Sequence, residues 1–115
     1  MLNGRDGAKL DAAARALRAE GARVETLPFD VTDHAAAREA VDGFEGAQGP
    51  IDILINNAGM QHRAPLQDFP ADAFQQLLQT NIASVFNVAQ ACARHMIARG
   101  AGKIINIASV QSALA

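Results

Sequence analysis

Apolar side chains recur at intervals of three and four along three stretches of the chain, and this spacing predicts three helices. The first helix covers Asp11–Glu20, the second runs from about His34 to Gly46, and the third extends from Asp68 to Arg99. Because the third stretch is long for a helix of a globular protein, we expect it to break near Pro70–Asp72 or near Thr80–Asn81. Its apolar positions are Phe74, Leu77, Leu78, Ile82, Val85, Phe86, Ala89 and Ala93.

Short apolar runs before and between these helices predict β-strands. Arg23–Phe29 has the β-branched and aromatic content of a strand, and Lys103–Ala108 is the last strand of the chain. Ile51–Ile55 is typical of a strand that is buried on both faces. Met1–Leu2 is the remnant of a further strand. This alternation of helix and strand predicts an α/β fold, in which right-handed crossovers connect the strands of a parallel sheet.

Small and polar residues follow three of the predicted strands. They are Asp30, Asn56–Gly59 and Ala108–Gln111. In an open parallel sheet, ligands bind beyond the carboxyl ends of the strands. There the loop Asn56–Gly59 would let its backbone approach a ligand closely, the Ser109 hydroxyl could bond a substrate oxygen, and Asp30 could accept from an amino group. The structural alternatives are a simple turn for Asn56–Gly59, a helix cap for Ser109 and a solvated turn residue for Asp30.

Composition excludes several classes of protein. The chain has 10 basic and 12 acidic side chains and a pI of about 5.8, so we expect no nucleic-acid partner, because phosphate binding needs a clustered basic excess. The single Cys92 supports neither a disulfide framework nor a zinc site, and we expect no metal. The segment Met1–Leu10 lacks the apolar core of a secretory signal, and the apolar runs are too short to span a membrane. A cytoplasmic protein is therefore expected.

Several motifs occur together in an order and spacing that resemble the classical short-chain dehydrogenase/reductase family. They are Asn56–Gly59, Asn81, Gly102–Val110 and, at the end of the preceding strand, Asp30–Val31. The resemblance covers nearly the whole chain. It implies a partial Rossmann-type doubly wound parallel sheet and an NAD(P)-dependent oxidoreductase that interconverts a ketone and a secondary alcohol on a small molecule.

Two segments are most similar to gluconate 5-dehydrogenase-like members of this family, which implies a small sugar acid or polyol as the substrate. The segments are Gly49–Pro65 and Ser109–Ser112. An arginine beside the site could hold a sugar-acid carboxylate by two parallel hydrogen bonds, and an ordinary surface arginine is the alternative. The substrate-binding residues expected on this basis are Gln61, Arg63 and Gln111.

The family resemblance also implies roles for individual residues. Ser109 matches the catalytic serine that holds the substrate oxygen, and Asn81 matches the asparagine that fixes a proton-relay water. A buried amide whose hydrogen bonds go to the backbone is the alternative for Asn81. The residues that match the cofactor-binding segments are Asp30 and Val31, beside the adenine ring, and Asn56, Ala58 and Gly59, beside the ribose and adenine.

The amino end of the chain suggests which cofactor is bound. Asn3-Gly4-Arg5 follows the last residues of a strand, where this fold places the adenosine ribose. An acid there favours NAD by bonding the 2′-hydroxyl, whereas an arginine suits a 2′-phosphate. Gly4 stands where NAD-preferring relatives carry the acid, and Arg5 follows it. We therefore expect NADP rather than NAD, bound in part by Asn3 and Arg5, with a solvated loop arginine as the alternative.

The sequence lacks two parts of the family pattern. It contains no tyrosine, and its only lysines are Lys9 and Lys103, so the tyrosine and lysine that act as general acid/base are missing. The glycine-rich turn that follows the first strand of the family is also missing. We expect residues 1–115 to form the central part of a single NAD(P)-binding Rossmann-fold domain that folds poorly alone.

Other functions are compatible with the same residues. A 3-oxoacyl-carrier-protein reductase is the alternative within the family, and a catalytically incomplete remnant that binds nucleotide is the alternative outside catalysis. A receiver-like module would need a cluster of acids at the sheet edge, which Asp30, Asn56 and Ser109 do not supply. Members of the family are commonly homotetramers built through the helix that would contain Asn81 to Arg99, so a homotetramer is expected.

Overall fold

A computed structural model describes residues 1–108 and shows an α/β architecture in which helices alternate with parallel strands. The predicted alternation is confirmed, and the remnant at Met1–Leu2 forms part of a paired strand. The strands are β1 (Leu2–Gly4), β2 (Thr26–Pro28), β3 (Ile53–Asn56) and β4 (Lys103–Asn106), and the helices are α1 (Gly7–Ala19), α2 (His34–Ala47), α3 (Ala71–Leu78) and α4 (Ser84–Arg99).

The four strands form two parallel pairs. β1 lies beside β2 with Asn3 opposite Leu27, and β3 lies beside β4 with Asn56 opposite Asn106. Within the described residues the two pairs are not hydrogen-bonded to each other. Residues of β1 and β3 instead line a cleft of about 660 Å³ that lies between the pairs.

Local capping explains where the helices begin and end. α1 begins four residues earlier than predicted because the Asp6 carboxylate accepts hydrogen bonds from the backbone N–H groups of Ala8 and Lys9, at 3.0 and 3.2 Å. Asp33 caps α2 in the same way. α4 ends at Gly100, whose φ of 74° is the left-handed conformation that glycine adopts without strain.

The hydrophobic core lies between α2 and α4 and extends onto β3. Val41 of α2 and Cys92 of α4 are fully buried. Burial in this layer raises the pKa of the Cys92 thiol to about 11. The buried members of the core are Ala37, Val41, Ile51, Leu54, Val88, Ala91, Cys92 and Met96.

The prediction that Ile51–Ile55 is buried on both faces is wrong for the described structure. Leu54 is 7% exposed, whereas Ile53 and Ile55 are 55% and 57% exposed. Successive strand residues point to opposite faces, and α4 is the only described helix that packs on β3. The face that carries Ile53 and Ile55 therefore has no covering layer among residues 1–108.

The long predicted helix is interrupted at both expected places. After a 3₁₀ turn at Leu66–Asp68, α3 starts behind Pro70, and a π-helical segment at Gln79–Ala83 joins α3 to α4 without ending the helix. A π turn holds an extra residue and shifts the helical phase, so the apolar positions counted across it do not share one buried face. Phe74, Ile82 and Phe86 are 50%, 63% and 59% exposed.

No helix within residues 1–108 is both long enough and apolar enough to cross a membrane.

Candidate active site

The carboxyl ends of β1 and β2 are tied together by the side chain of Asn3. Its amide nitrogen donates hydrogen bonds to the carbonyl oxygens of Leu27 and Phe29, at 2.8 and 3.2 Å. The chain that leaves β2 is thereby held beside β1, and Asn3 also lines the cleft. Asn3 thus has a structural role at this edge, and its contact with a cofactor stays a prediction.

Asp30 divides its two carboxylate oxygens between two partners. Oδ1 accepts hydrogen bonds from the hydroxyl and the backbone N–H of Thr32, at 2.7 and 2.9 Å. Oδ2 lies 3.7 Å from Nη1 of Arg5. The two Thr32 bonds, and after them the Arg5 charge, hold the pKa of the Asp30 carboxyl below its ordinary value. Asp30 is therefore fully ionised at neutral pH.

The end of β3 is fixed by two asparagines that face each other across the strand pair. Asn56 Nδ2 donates to Asn106 Oδ1 at 3.0 Å, and the N–H of Ile107 donates to the Asn56 carbonyl oxygen at 3.0 Å. These bonds fix the point at which the loop Asn57–Gly59 departs. The sequence analysis did not single out Asn106. The sequence feature that could have predicted this contact is an asparagine near the end of each of the two apolar runs.

Asn81 holds the loop after β3 by two hydrogen bonds to the backbone of a single residue. Its Oδ1 accepts from the N–H of Met60 at 2.8 Å, and its Nδ2 donates to the Met60 carbonyl oxygen at 3.0 Å. A Cβ at Gly59 would lie 3.3 Å from Asn81 Oδ1, so a larger residue there would require the Asn81 side chain to shift by a few tenths of an ångström. The backbone hydrogen bonds expected of a structural amide are present, but Asn81 is exposed rather than buried, and its catalytic role stays a prediction.

A second asparagine, Asn87 of α4, anchors the chain that follows β2. Asn87 is 7% exposed, and its Nδ2 donates to the Val31 carbonyl oxygen at 3.1 Å. This bond holds Val31 at the cleft that it lines. Asn87 was not predicted from the sequence, although an amide among the apolar positions of a helix was a usable signal.

The predicted substrate-binding segment is an exposed loop. The side chains of Gln61 and Arg63 are exposed, and within residues 1–108 neither forms a hydrogen bond or an ion pair through its side chain. The ring of His62 contacts Phe69 edge-on, with 5.1 Å between the ring centroids. This contact ties the loop back to the turn that precedes α3.

The structure brings some predicted site residues together and leaves others apart. Asn3 and Val31 from one strand pair line the same cleft as Asn56 and Ala58 from the other. Gly59 lies against Asn81, and Arg5 lies beside Asp30. The predicted residues that lie outside the described residues are Ser109 and Gln111.

Metal ligands are not grouped in this part of the molecule. Among residues 1–108, no three His, Cys, Asp or Glu side chains are placed to hold a metal ion.

Comparison with known sequences gives a consistent family match. The sequence profile of the short chain dehydrogenase family matches residues 1–115. The gluconate 5-dehydrogenase of Gluconobacter oxydans (strain 621H) is 54% identical over 115 residues, which are 100% of this chain and 45% of that protein. The 5-keto-D-gluconate 5-reductase of Escherichia coli (strain K12) is 40% identical over 114 residues, which are 99% of this chain and 45% of that protein.

Solved structures show the same likeness in three dimensions. A gluconate 5-dehydrogenase from Burkholderia cenocepacia J2315, crystallised with NADP and tartrate, superposes with a TM-score of 0.92 at 55% identity, over 99% of this chain and 45% of that chain. A metagenomic short-chain oxidoreductase in complex with NADP gives a TM-score of 0.85 at 33% identity, over 95% of this chain and 50% of that chain. The predicted Rossmann-type fold is confirmed, and the chain spans about half the length of these relatives.

Proposed function

Since the chain belongs to the short-chain dehydrogenase family, we propose that residues 1–115 form the central part of an NADP-dependent oxidoreductase that interconverts a ketone and a secondary alcohol. The proposed substrate is a small sugar acid such as 5-ketogluconate. The observation that carries the proposal is that predicted cofactor residues from both strand pairs, Asn3 and Val31 from one and Asn56 and Ala58 from the other, lie at or just beyond the carboxyl ends of parallel strands. The sequence likeness to gluconate 5-dehydrogenases and a 5-ketogluconate reductase supports the substrate class.

The residues that follow the carboxyl ends of β1 and β3 fit a dinucleotide. Ala58 and Gly59 present little side-chain volume, so a ribose and a purine ring can approach the backbone closely. Arg5 provides a cation for a 2′-phosphate at the end of β1. The reduced cofactor, NADPH, would supply the hydride for ketone reduction, and NADP⁺ would accept a hydride in the reverse direction.

The chain's own residues then bind and orient the substrate. Ser109 donates a hydrogen bond to the substrate oxygen, which stabilises negative charge that develops on that oxygen. Asn81 fixes the loop that carries Gly59 and, through a water, takes part in proton transfer. Arg63 holds the substrate carboxylate. In this family a tyrosine supplies the proton as general acid, and this sequence contains no tyrosine.

The whole enzyme is proposed to be a homotetramer in the cytoplasm, with small molecules as its only partners. Three apolar side chains on the long helix support an interface between subunits, because they are strongly exposed here. Ile82, Phe86 and Ile97 are 63%, 59% and 78% exposed.

The proposal can be tested in a complete enzyme by exchanging one segment. In this chimaera, residues 1–115 replace the matching segment of the Gluconobacter oxydans enzyme, which aligns with all of this chain. We expect the chimaera to reduce 5-ketogluconate with NADPH in preference to acetoacetyl thioesters. A soluble chimaera that preferred the thioester would instead support the 3-oxoacyl-carrier-protein reductase alternative, and one that bound nucleotide without turnover would support the remnant.

Two arginine variants of the chimaera separate cofactor binding from substrate binding. Arg5→Ala should weaken NADP binding and leave NAD binding nearly unchanged, because only NADP carries the 2′-phosphate. Arg63→Ala should raise the KM for 5-ketogluconate, with cofactor affinity unchanged. An unchanged NADP preference in the first variant, or an unchanged KM in the second, would remove the role assigned to that arginine.

A further inference from the structure

Arg5 needs a partner if it is to recognise a phosphate efficiently. Its side chain is 81% exposed, and a long exposed side chain loses conformational entropy when a ligand fixes it. Among residues 1–108, the acidic side chain that lies within ion-pair distance of Arg5 is Asp30. Asp30 follows β2, and Arg5 follows β1, so the pair bridges two adjacent strand ends.

We propose that Asp30 positions the Arg5 guanidinium for the 2′-phosphate of NADP and thereby helps to set the preference for NADP over NAD. This inference rests on the proposed function, in which Arg5 binds that phosphate. It assigns Asp30 a task beyond contact with the adenine ring, which NAD and NADP share.

The geometry around Asp30 suits a positioning role. Thr32 holds Oδ1 by two hydrogen bonds, so Oδ2 has a fixed direction. Oδ2 lies 3.7 Å from Nη1 of Arg5, whose guanidinium carries five N–H groups. The remaining N–H groups of a guanidinium stay available for phosphate oxygens. Asn3 holds the two strand ends together, which keeps Arg5 and Asp30 in reach of each other.

Asp30→Asn in the chimaera tests the proposal, because an asparagine keeps the oxygen that Thr32 bonds and removes the charge that faces Arg5. Titration of each cofactor gives the Kd for NADP and for NAD. We expect the ratio of NADP affinity to NAD affinity to fall about two- to fivefold, the size of an exposed ion pair. A change in the shared adenine contact would alter both Kd values equally and leave the ratio unchanged.

A double-substitution cycle with Arg5→Ala makes the test specific. In the Arg5→Ala background, Asp30→Asn should leave the ratio unchanged, and Asp30→Glu in the original background should retain part of the preference. The proposal would be overturned if the ratio of NADP affinity to NAD affinity stayed constant or rose in Asp30→Asn. It would also be overturned if Asp30→Asn lowered this ratio equally in the Arg5→Ala background. If Arg5→Ala itself leaves the ratio unchanged, the NADP assignment fails, and this inference fails with it.

Discussion

At the residue scale, Asn81 is the side chain whose replacement should have the largest effect on the site. It makes two hydrogen bonds to the backbone N–H and C=O of Met60 and so connects the loop after β3 to the π-helical segment. π turns inside helices occur frequently at functional sites, and this one carries the asparagine that holds the loop. The π-helical segment therefore determines the position of Asn81 and, through it, the position of the loop after β3.

Asn81→Ala should lower both cofactor affinity and kcat of the chimaera. Each lost hydrogen bond contributes about 1 kcal/mol, so two of them correspond to a loss of at least about tenfold. Asn81→Asp keeps the oxygen that accepts from Met60 and should give an intermediate result. Steady-state kinetics and cofactor titration measure the effect.

The matched control is Gln79→Ala, an exposed position in the same π-helical segment. It should leave kcat and cofactor affinity unchanged. If Asn81→Ala behaved like this control, the loop would not depend on the asparagine, and the role given to Asn81 would be wrong.

Sequence motifs located the site residues but not their partners. Asp30, Asn56 and Asn81 were predicted from motif and strand position, whereas Asn87 and Asn106 were not. The bonds of Asn87 and Asn106 depend on which strand or loop comes beside them in the fold. Spacing along the chain contains no such information, because Asn87 and Val31 are 56 residues apart.

At the element scale, a partly buried ion pair joins α2 and α4 where β3 begins. Glu45 of α2 and Arg99 of α4 lie 2.9 Å apart, and their side chains are 9% and 27% exposed. Glu45 Oε2 also accepts from the N–H of Ile51 at 2.6 Å, and Arg99 donates to the carbonyl oxygen of the same residue. The pair thus satisfies both backbone groups of Ile51 just before the strand.

The Glu45 contacts predict how stability depends on pH. Burial alone would raise the pKa of Glu45, but the Ile51 N–H and the Arg99 charge, with His95 nearby, outweigh it and hold that pKa below its ordinary value. A carboxyl group whose pKa is lower in the folded state stabilises the fold. This contribution is fully present above the pKa of the unfolded state, about 4.3, and is lost as the pH falls through the pKa of the folded state.

Glu45→Gln should therefore reduce the free energy of unfolding of the chimaera by about 1–3 kcal/mol at pH 6, because Arg99 loses its counter-charge. The difference from the unsubstituted chimaera should shrink towards pH 3. Urea unfolding at both pH values measures it, with the exposed Glu39→Gln on the same helix as control. A deficit that stayed constant with pH would show that ionisation of Glu45 contributes nothing.

Helices were easier to predict than their exact limits. The spacing of apolar residues located α2 almost exactly, since Asp33 caps its start. The start of α1 was missed because it depends on Asp6, a capping residue that precedes the apolar pattern. The apolar face of the third helix could not be predicted, because a π turn shifts the phase without leaving a clear residue signature.

At the scale of the whole molecule, the described structure leaves sheet surface uncovered. The cleft separates the two strand pairs, and the apolar residues of β3 and β4 include strongly exposed side chains. Parallel sheets are normally covered on both faces, and uncovered apolar strands promote association between chains. Ile53, Ile55 and Ile105 are 55%, 57% and 44% exposed.

The 115-residue chain expressed alone should therefore aggregate or fold only in part. Size-exclusion chromatography with light scattering, followed by urea unfolding, tests this expectation. A soluble monomer with a sharp cooperative transition would contradict it and would show that the α2–α4 layer suffices to hold the strands.

The burial of Cys92 provides a way to measure the opening of the α2–α4 layer. It is the only cysteine in the chain, it is fully buried among the residues that join α2 to α4, and its raised pKa of about 11 suppresses the reactive thiolate. A thiol reagent can modify it only when the helices separate. The labelling rate of Cys92 therefore reports the opening equilibrium of the α2–α4 layer, independently of any catalytic assay.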